Sequence, residues 1–241
     1  MQRIMSASLI LGFLALTAHA AGAVIPAKGP AIDFSMKYNF NEDGERLDVF
    51  KETKDWKITL FGAQGDVRVE DGVATMDEGE DMSGITWAGP VVTMNYEVTL
   101  EAKRVRGRDF FCGLTVPYND SHVSLIIGGW GGTCVGISCI DYFDAYNNET
   151  ARFMDFDMDK WYRIKLRVEP DHIQAWIDDD RLVNLEVNGR KIDIRSEVRL
   201  SRPFGISTWR TAGAIRDITW TALEPAAAES DEAVKDAAED S

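Results

Sequence analysis

From residue 56 onward, apolar and polar side chains alternate with a period of two, and runs with a helical period are nearly absent. In "YRIKLRVE", Tyr162, Ile164, Leu166 and Val168 share one parity, while Arg163, Lys165, Arg167 and Glu169 share the other. "NYEVTLEAK" repeats the pattern with Tyr96, Val98, Leu100 and Ala102. Successive side chains of a strand face opposite ways, so such runs predict half-buried β-strands. "DVRVEDGVATM" predicts a hairpin turning at Glu70-Asp71-Gly72, and "HIQAWIDDDRLVNLEV" a second one turning at Asp178-Asp179-Asp180. Strands spaced in this way predict an all-β sandwich.

Composition sets the limits of that domain. Arg3, the run "LILGFLAL" and "AHA" at 18–20 read as a signal peptide over residues 1–20, which implies a secreted or periplasmic protein. No later apolar run approaches the roughly 20 residues of a membrane helix, so no membrane span is expected. Residues 21–46 read as a loosely structured segment, and 47–223 as the sandwich domain. Residues 224–241 hold seven acids and one lysine and read as an acidic disordered tail. Loss of Arg3 with the leader takes the formal charge from −14 to −15, of which −6 belongs to the tail and −9 to the body. A body so acidic offers no basic stripe to a nucleic-acid backbone, and nucleic acid is excluded as a partner. The three cysteines, Cys112, Cys134 and Cys139, permit at most one internal disulfide. Cys134 with Cys139 would close a short loop, and buried unpaired thiols are the alternative.

Three segments carry a family likeness: "VEDGV" at 69–73, "WYRIKLRVEPDHIQAWIDDDRLVNLEV" at 161–187, and "PFGISTWRTAGAIRDITWTAL" at 203–223. Together they resemble the 3-keto-disaccharide hydrolase domain family. The resemblance implies a concanavalin A-like jelly roll of two antiparallel sheets and action on a 3-keto sugar. In such a sugar the ketone acidifies the neighbouring C–H, so elimination and water addition can replace oxocarbenium chemistry. That route needs a base and an oxyanion stabiliser rather than paired carboxylates. His122 and Asp141 are the candidate catalytic residues.

Alternation also names candidate ligand contacts. The side chains opposite the apolar parity are Phe111, Gly113 and Thr115 in "FFCGLTV", His122 and Ser124 in "HVSLI", Gly136 and Ser138 in "VGISCI", and Gln174 and Trp176 in "HIQAWID". Polar, small and aromatic side chains with few charges suit a shallow saccharide cleft. In "LIIGGWGGTCVGIS", four glycines surround Trp130. No lysine and no helix follow, so a phosphate cradle is excluded. A strand–loop–strand connection that offers Trp130 as a sugar platform replaces it, with a core tryptophan as the alternative. "IDYFDAYNNET" adds Asp141 and Asp144 in a loop.

Other chemistry finds less support. In "EVTLE", Glu97 and Glu101 lie on one strand face about 13 Å apart, too far for either usual glycosidase geometry. "DFDMD" at 155–159 lacks the sixth-position glycine and closing glutamate of an EF-hand, which leaves aspartates guarding an edge strand, or a calcium site. Otherwise no cofactor and no metal ligand set is expected. The expected partner is a carbohydrate ligand. The functions in play are a 3-keto glycoside hydrolase, a non-catalytic sugar-binding module, and a cell-envelope interaction protein. Whether the chain is an enzyme stays open on sequence grounds.

Overall fold

The computed structural model describes residues 56–70 and 72–223. The expected leader, the 21–46 segment, the tail and Asp71 lie outside the described residues. Fourteen strands follow one another: β1 Trp56–Ile58, β2 Val67–Glu70, β3 Val73–Met76, β4 Met82–Trp87, β5 Tyr96–Gly107, β6 Cys112–Tyr118, β7 Ser121–Gly129, β8 Cys134–Ser138, β9 Arg152–Phe153, β10 Tyr162–Val168, β11 His172–Ile177, β12 Asp180–Glu186, β13 Phe204–Trp209 and β14 Thr211–Ala222. A short 3₁₀ helix, Ser196–Ser201, precedes β13.

The strands form two seven-stranded sheets. The first runs β1-β4-β13-β6-β7-β8-β9 and the second β12-β11-β10-β5-β14-β3-β2. Neighbours pair antiparallel throughout, including both expected hairpins, β2 with β3 and β11 with β12. This is the jelly-roll sandwich that the alternation and the resemblance imply.

The inward parity of each sheet supplies one core. Tyr96, Val98, Leu100 and Ala102 of β5 and Tyr162, Ile164, Leu166 and Val168 of β10 meet Leu114, Val116, Val123, Leu125 and Ile137 of the first sheet. These side chains are essentially removed from water. Each contributes about 1.5–3 kcal/mol of transfer free energy if apolar, which is what holds the sheets face to face. A second, smaller apolar cluster lies on the outer side of the first sheet: Met82, Phe110, Ile126, Cys134, Ala145, Ile194 and Val198.

That second cluster exists because the chain doubles back. After β12, the stretch 188–203 crosses the outer face of the first sheet, setting Ile194 and Val198 against it. The Cys139 N–H donates to the Asp193 carbonyl, and the Asp193 N–H to the Cys139 carbonyl at 3.1 Å, which sews this stretch to the loop after β8. The Cβ that any other residue would add at Gly205 lies 2.5 Å from the Ser201 carbonyl oxygen, so the crossing chain lies directly on the sheet.

One expectation is corrected here. Asp155, Asp157 and Asp159 do not line an edge strand, because β9 ends at Phe153 and they fall in the connection to β10. Asp159 pairs with Lys103 at 3.1 Å. Among the described residues no group of three or more His, Cys, Asp or Glu gathers where it could hold a metal ion.

Candidate functional site

Thr115, Ser124 and Ser138 share the outward parity of the first sheet, in register across β6, β7 and β8. They do not face an open cleft. All three are buried, with Thr115 Oγ1 and Ser124 Oγ 2.8 Å apart, because the crossing stretch and the 139–151 loop cover this part of the face. Alternation reports which way a side chain points, and it carries no information on what a distant segment lays over it.

Two of the open depressions lie at opposite ends of the outer face of β7. One has a cavity of about 240 Å³ beside Ile126, walled by Phe110, Trp130 and Trp209 and edged by Asp109, Arg195 and Glu197. The other, of about 260 Å³, surrounds His122.

The aromatic groove is built from the glycine-rich stretch. Gly128 makes a bulge with φ +76°, and Trp130, Gly131 and Gly132 turn the chain with φ of +47°, +90° and +112°. Glycine tolerates such dihedrals, whereas for tryptophan they are strained. Arg104 holds the turn from below. It continues the inward parity of β5 beyond Ala102 and is 5% exposed. Its Nη2 donates to the carbonyls of Gly132 at 2.7 Å, Gly128 at 3.3 Å and Asp109 at 3.4 Å. Phe111 and Phe156 flank the guanidinium, with centroids 5.2 and 5.8 Å from Cζ. A Cβ on Gly128 would stand 2.6 Å from Nη2, so that glycine leaves room for the cation.

Trp130 therefore emerges at the surface, 37% exposed, and not in the core. Trp209 stands on the outward parity of β13 and is held by its N–H bond to the Phe110 carbonyl at 3.0 Å. Phe110 and Phe111 exchange the places expected of them. Phe111 is fully buried against Phe156, and Phe110 lines the groove. The cause is a bend: the strand begins only at Cys112, and the Asp109 carboxylate caps the Phe110 N–H at 2.8 Å, so the count does not extend backward. Arg195 and Glu197 close the polar rim, paired at 2.6 Å, which draws the Glu197 pKa down.

His122 shares its cavity with Asp120, Ser121, Asp193, Arg199 and Arg202. Burial, then the charge of Arg202, lowers the His122 pKa, while Asp193 works in the opposite direction. The imidazole is therefore neutral at neutral pH. Neither arginine is ion-paired to a carboxylate among the described residues; Arg202 Nε donates to the Arg199 carbonyl at 2.9 Å.

The remaining candidates stand elsewhere. Asp141 accepts from Arg190 Nε at 2.6 Å and from the Lys191 N–H at 2.8 Å, and these bonds hold its pKa low. Asp144 organises its loop, its Oδ1 accepting from the N–H groups of Tyr146 and Asn147, each at 3.2 Å. Its other oxygen reaches Arg195 at 3.3 Å, so it supports the groove rim. Gln174 and Trp176 point outward as expected, but from the second sheet, on the opposite side of the sandwich from Trp130. There Gln174 bonds Asn184 at 2.6 Å, and Lys165 lies 4.2 Å from the Trp176 centroid. Glu97 and Glu101 occupy the same face, paired with Arg167 at 2.8 Å and Arg216 at 2.5 Å. The three cysteines are unpaired; burial pushes the Cys134 thiol up to about 11 and the Cys112 thiol higher still.

Trp209 and Arg104 are not among the candidates that the sequence pattern singles out. Both had a signal: "FGISTW" places Trp209 opposite Phe204, Ile206 and Thr208, and "YEVTLEAKR" puts an arginine at the fifth inward position of an apolar series.

No family model and no curated protein matches this chain. Solved structures do. An apo Crh5 transglycosylase matches with a TM-score of 0.50 at 14% identity, over 71% of this chain and 79% of that one. The Crh5 transglycosylase in complex with NAG matches with a TM-score of 0.51 at 12% identity, over 73% and 82%. At such identities the likeness is one of fold, and the chain is a jelly-roll sandwich of two antiparallel sheets.

Proposed function

We propose that this chain is an exported carbohydrate-binding domain whose ligand lies in the groove between Trp130 and Trp209. The observation that carries the reading is the groove itself: two indoles and Phe110 around about 240 Å³, with Asp109, Arg195 and Glu197 at the rim. Sugar rings have apolar faces and hydroxyl edges, and indole faces beside charged hydrogen-bonding groups meet both needs. The rim is preorganised, since Asp144 holds Arg195 and Arg195 holds Glu197. That the structural relatives include a transglycosylase in complex with NAG is in keeping with this reading.

The test is binding to a panel of neutral and 3-keto glycosides. Trp130→Ala and Trp209→Ala should each weaken binding by about 2 kcal/mol, or about thirty-fold. Trp176→Ala, on the other sheet, should leave the affinity unchanged. Equal loss from all three variants, or from none, contradicts the assignment.

A second reading, cleavage of a 3-keto glycoside, rests on the His122 cavity. A neutral imidazole there can take the acidified C–H proton, while Arg199 and Arg202 stabilise the enolate oxygen. Collapse of the enolate expels the glycosidic oxygen, which recovers the proton from the imidazolium, and water then adds across the new double bond. His122 is the base in this reading, because Asp141 is committed to Arg190 and Lys191. His122→Gln should abolish turnover on a 3-keto disaccharide and retain the fold. Unchanged turnover in that variant contradicts this reading and leaves the binding reading intact.

A further inference from the structure

The groove does not end at Trp130. Among the described residues the large aromatic side chains that stand strongly exposed are Trp130, Tyr142, Phe143, Tyr146 and Phe153, and all five fall between positions 130 and 153. Three of them touch in series. The Trp130 and Tyr146 centroids are 6.3 Å apart at an interplanar angle of 34°, and those of Tyr146 and Phe153 are 5.5 Å apart at 76°. Trp130 also lines the groove, so the series leads from the groove out to β9, the edge strand of the first sheet.

The rings are held in place by the backbone beneath them. Asn148 Nδ2 donates to the carbonyls of Ile137 and Asp144, each at 2.8 Å, and Asn148 Oδ1 accepts from the Thr150 N–H at 2.9 Å. Asp144 caps the Tyr146 and Asn147 N–H groups. Phe153 is paired to Cys134 in the ladder, and the Met154 N–H donates to the Thr133 carbonyl at 3.0 Å. A protein that fixes three contiguous aromatic rings half in water leaves an apolar surface uncovered, which marks a contact surface.

Resting on the saccharide reading of the groove, we infer that its ligand is a chain of several sugar rings, with the units beyond the groove lying over Tyr146 and Phe153. The chemistry favours a glycan as occupant. Each step between ring centroids approximates the advance of one hexose along a glycan chain. Asn147 and Glu149 stand exposed on the loop that carries Tyr146, Asn147 Nδ2 donating to Asp144 at 2.8 Å and Glu149 paired with Arg190 at 2.5 Å, so hydrogen-bonding groups accompany the rings on this loop, as a hydroxyl-bearing ligand requires. Trp130 and Tyr146 are tilted by 34° and Tyr146 and Phe153 meet edge to face at 76°, and β-1,3- and β-1,4-linked glucans are both used as probes.

The experiment measures affinity across two ladders, laminari- and cello-oligosaccharides, from disaccharide to hexasaccharide. The native chain should gain about ten-fold in affinity between the disaccharide and the longer members of at least one ladder. Phe153→Ser should leave disaccharide binding unchanged and erase that gain. Phe153 is 59% exposed, so the variant should fold with an unaltered Tm. A disaccharide that binds as tightly as the hexasaccharide, or a Phe153→Ser effect equal at every length, overturns the inference while the groove reading stands. Silence of both ladders, with Trp130→Ala indistinguishable from the native chain, overturns the two together.

Discussion

Arg104 is the residue on which the presentation of Trp130 depends. Its guanidinium is buried without a carboxylate partner; Nη2 donates to backbone carbonyls, two of them in the turn that carries Trp130, while the buried Nε has no hydrogen-bond partner among the described residues. Arg104→Met keeps the apolar stem but strands those carbonyls, at about 1–3 kcal/mol for each one left without a donor. Gly128→Ala should cost about 1–2 kcal/mol through its left-handed φ alone, and more through the clash with Arg104 Nη2. Chemical denaturation of both variants measures these losses. His122 carries a pH prediction. Burial and Arg202 make the folded imidazole less basic than its unfolded form, while Asp193 opposes them and Asp120 and Arg199 also line the cavity. The unfolded chain therefore takes up its proton first. The contribution of His122 to stability is complete above the unfolded value of about 6.5 and is lost as pH falls through the lower folded value. Denaturation midpoints measured across that range should fall less steeply for His122→Gln than for the native chain; parallel profiles would contradict the linkage.

At the scale of elements, alternation gives the strands because each is half-buried and must send every second side chain to the core. β10 and β11 follow it throughout and β5 from Tyr96 to Arg104, and both hairpins close near the expected turns. The site was harder to read, for three physical reasons. Parity does not say which sheet a strand joins, so Trp176 and Trp130 could share a face in the sequence and stand on opposite faces in the fold. It stops at a bend, which exchanged Phe110 and Phe111. Nor does it foresee the stretch from 188 to 203, whose Ile194 and Val198 turn a polar row into a buried one. That Thr115 and Ser124 satisfy one another beneath this cover gives them a structural role which alternation alone could not separate from ligand binding. The control variant Trp176→Ala belongs to this scale. It reports whether the second sheet's outer face, where the charges are paired with one another, takes any part in binding.

For the whole molecule, the sandwich is a rigid frame with one outer face largely covered and an aromatic groove left at one end of it. Among the described residues, three of the exposed aromatic side chains, Trp130, Tyr146 and Phe153, adjoin one another in a series that starts at the groove. All seven tryptophans lie within the described residues, so their indole N–H groups can be followed separately. The most direct measurement is a ¹H–¹⁵N correlation spectrum of those indoles during titration with laminarihexaose. The account predicts that Trp130 and Trp209 shift while Trp161 and Trp176 stay still; movement of Trp161 and Trp176 with Trp130 and Trp209 unmoved would place the ligand on the other sheet and contradict it.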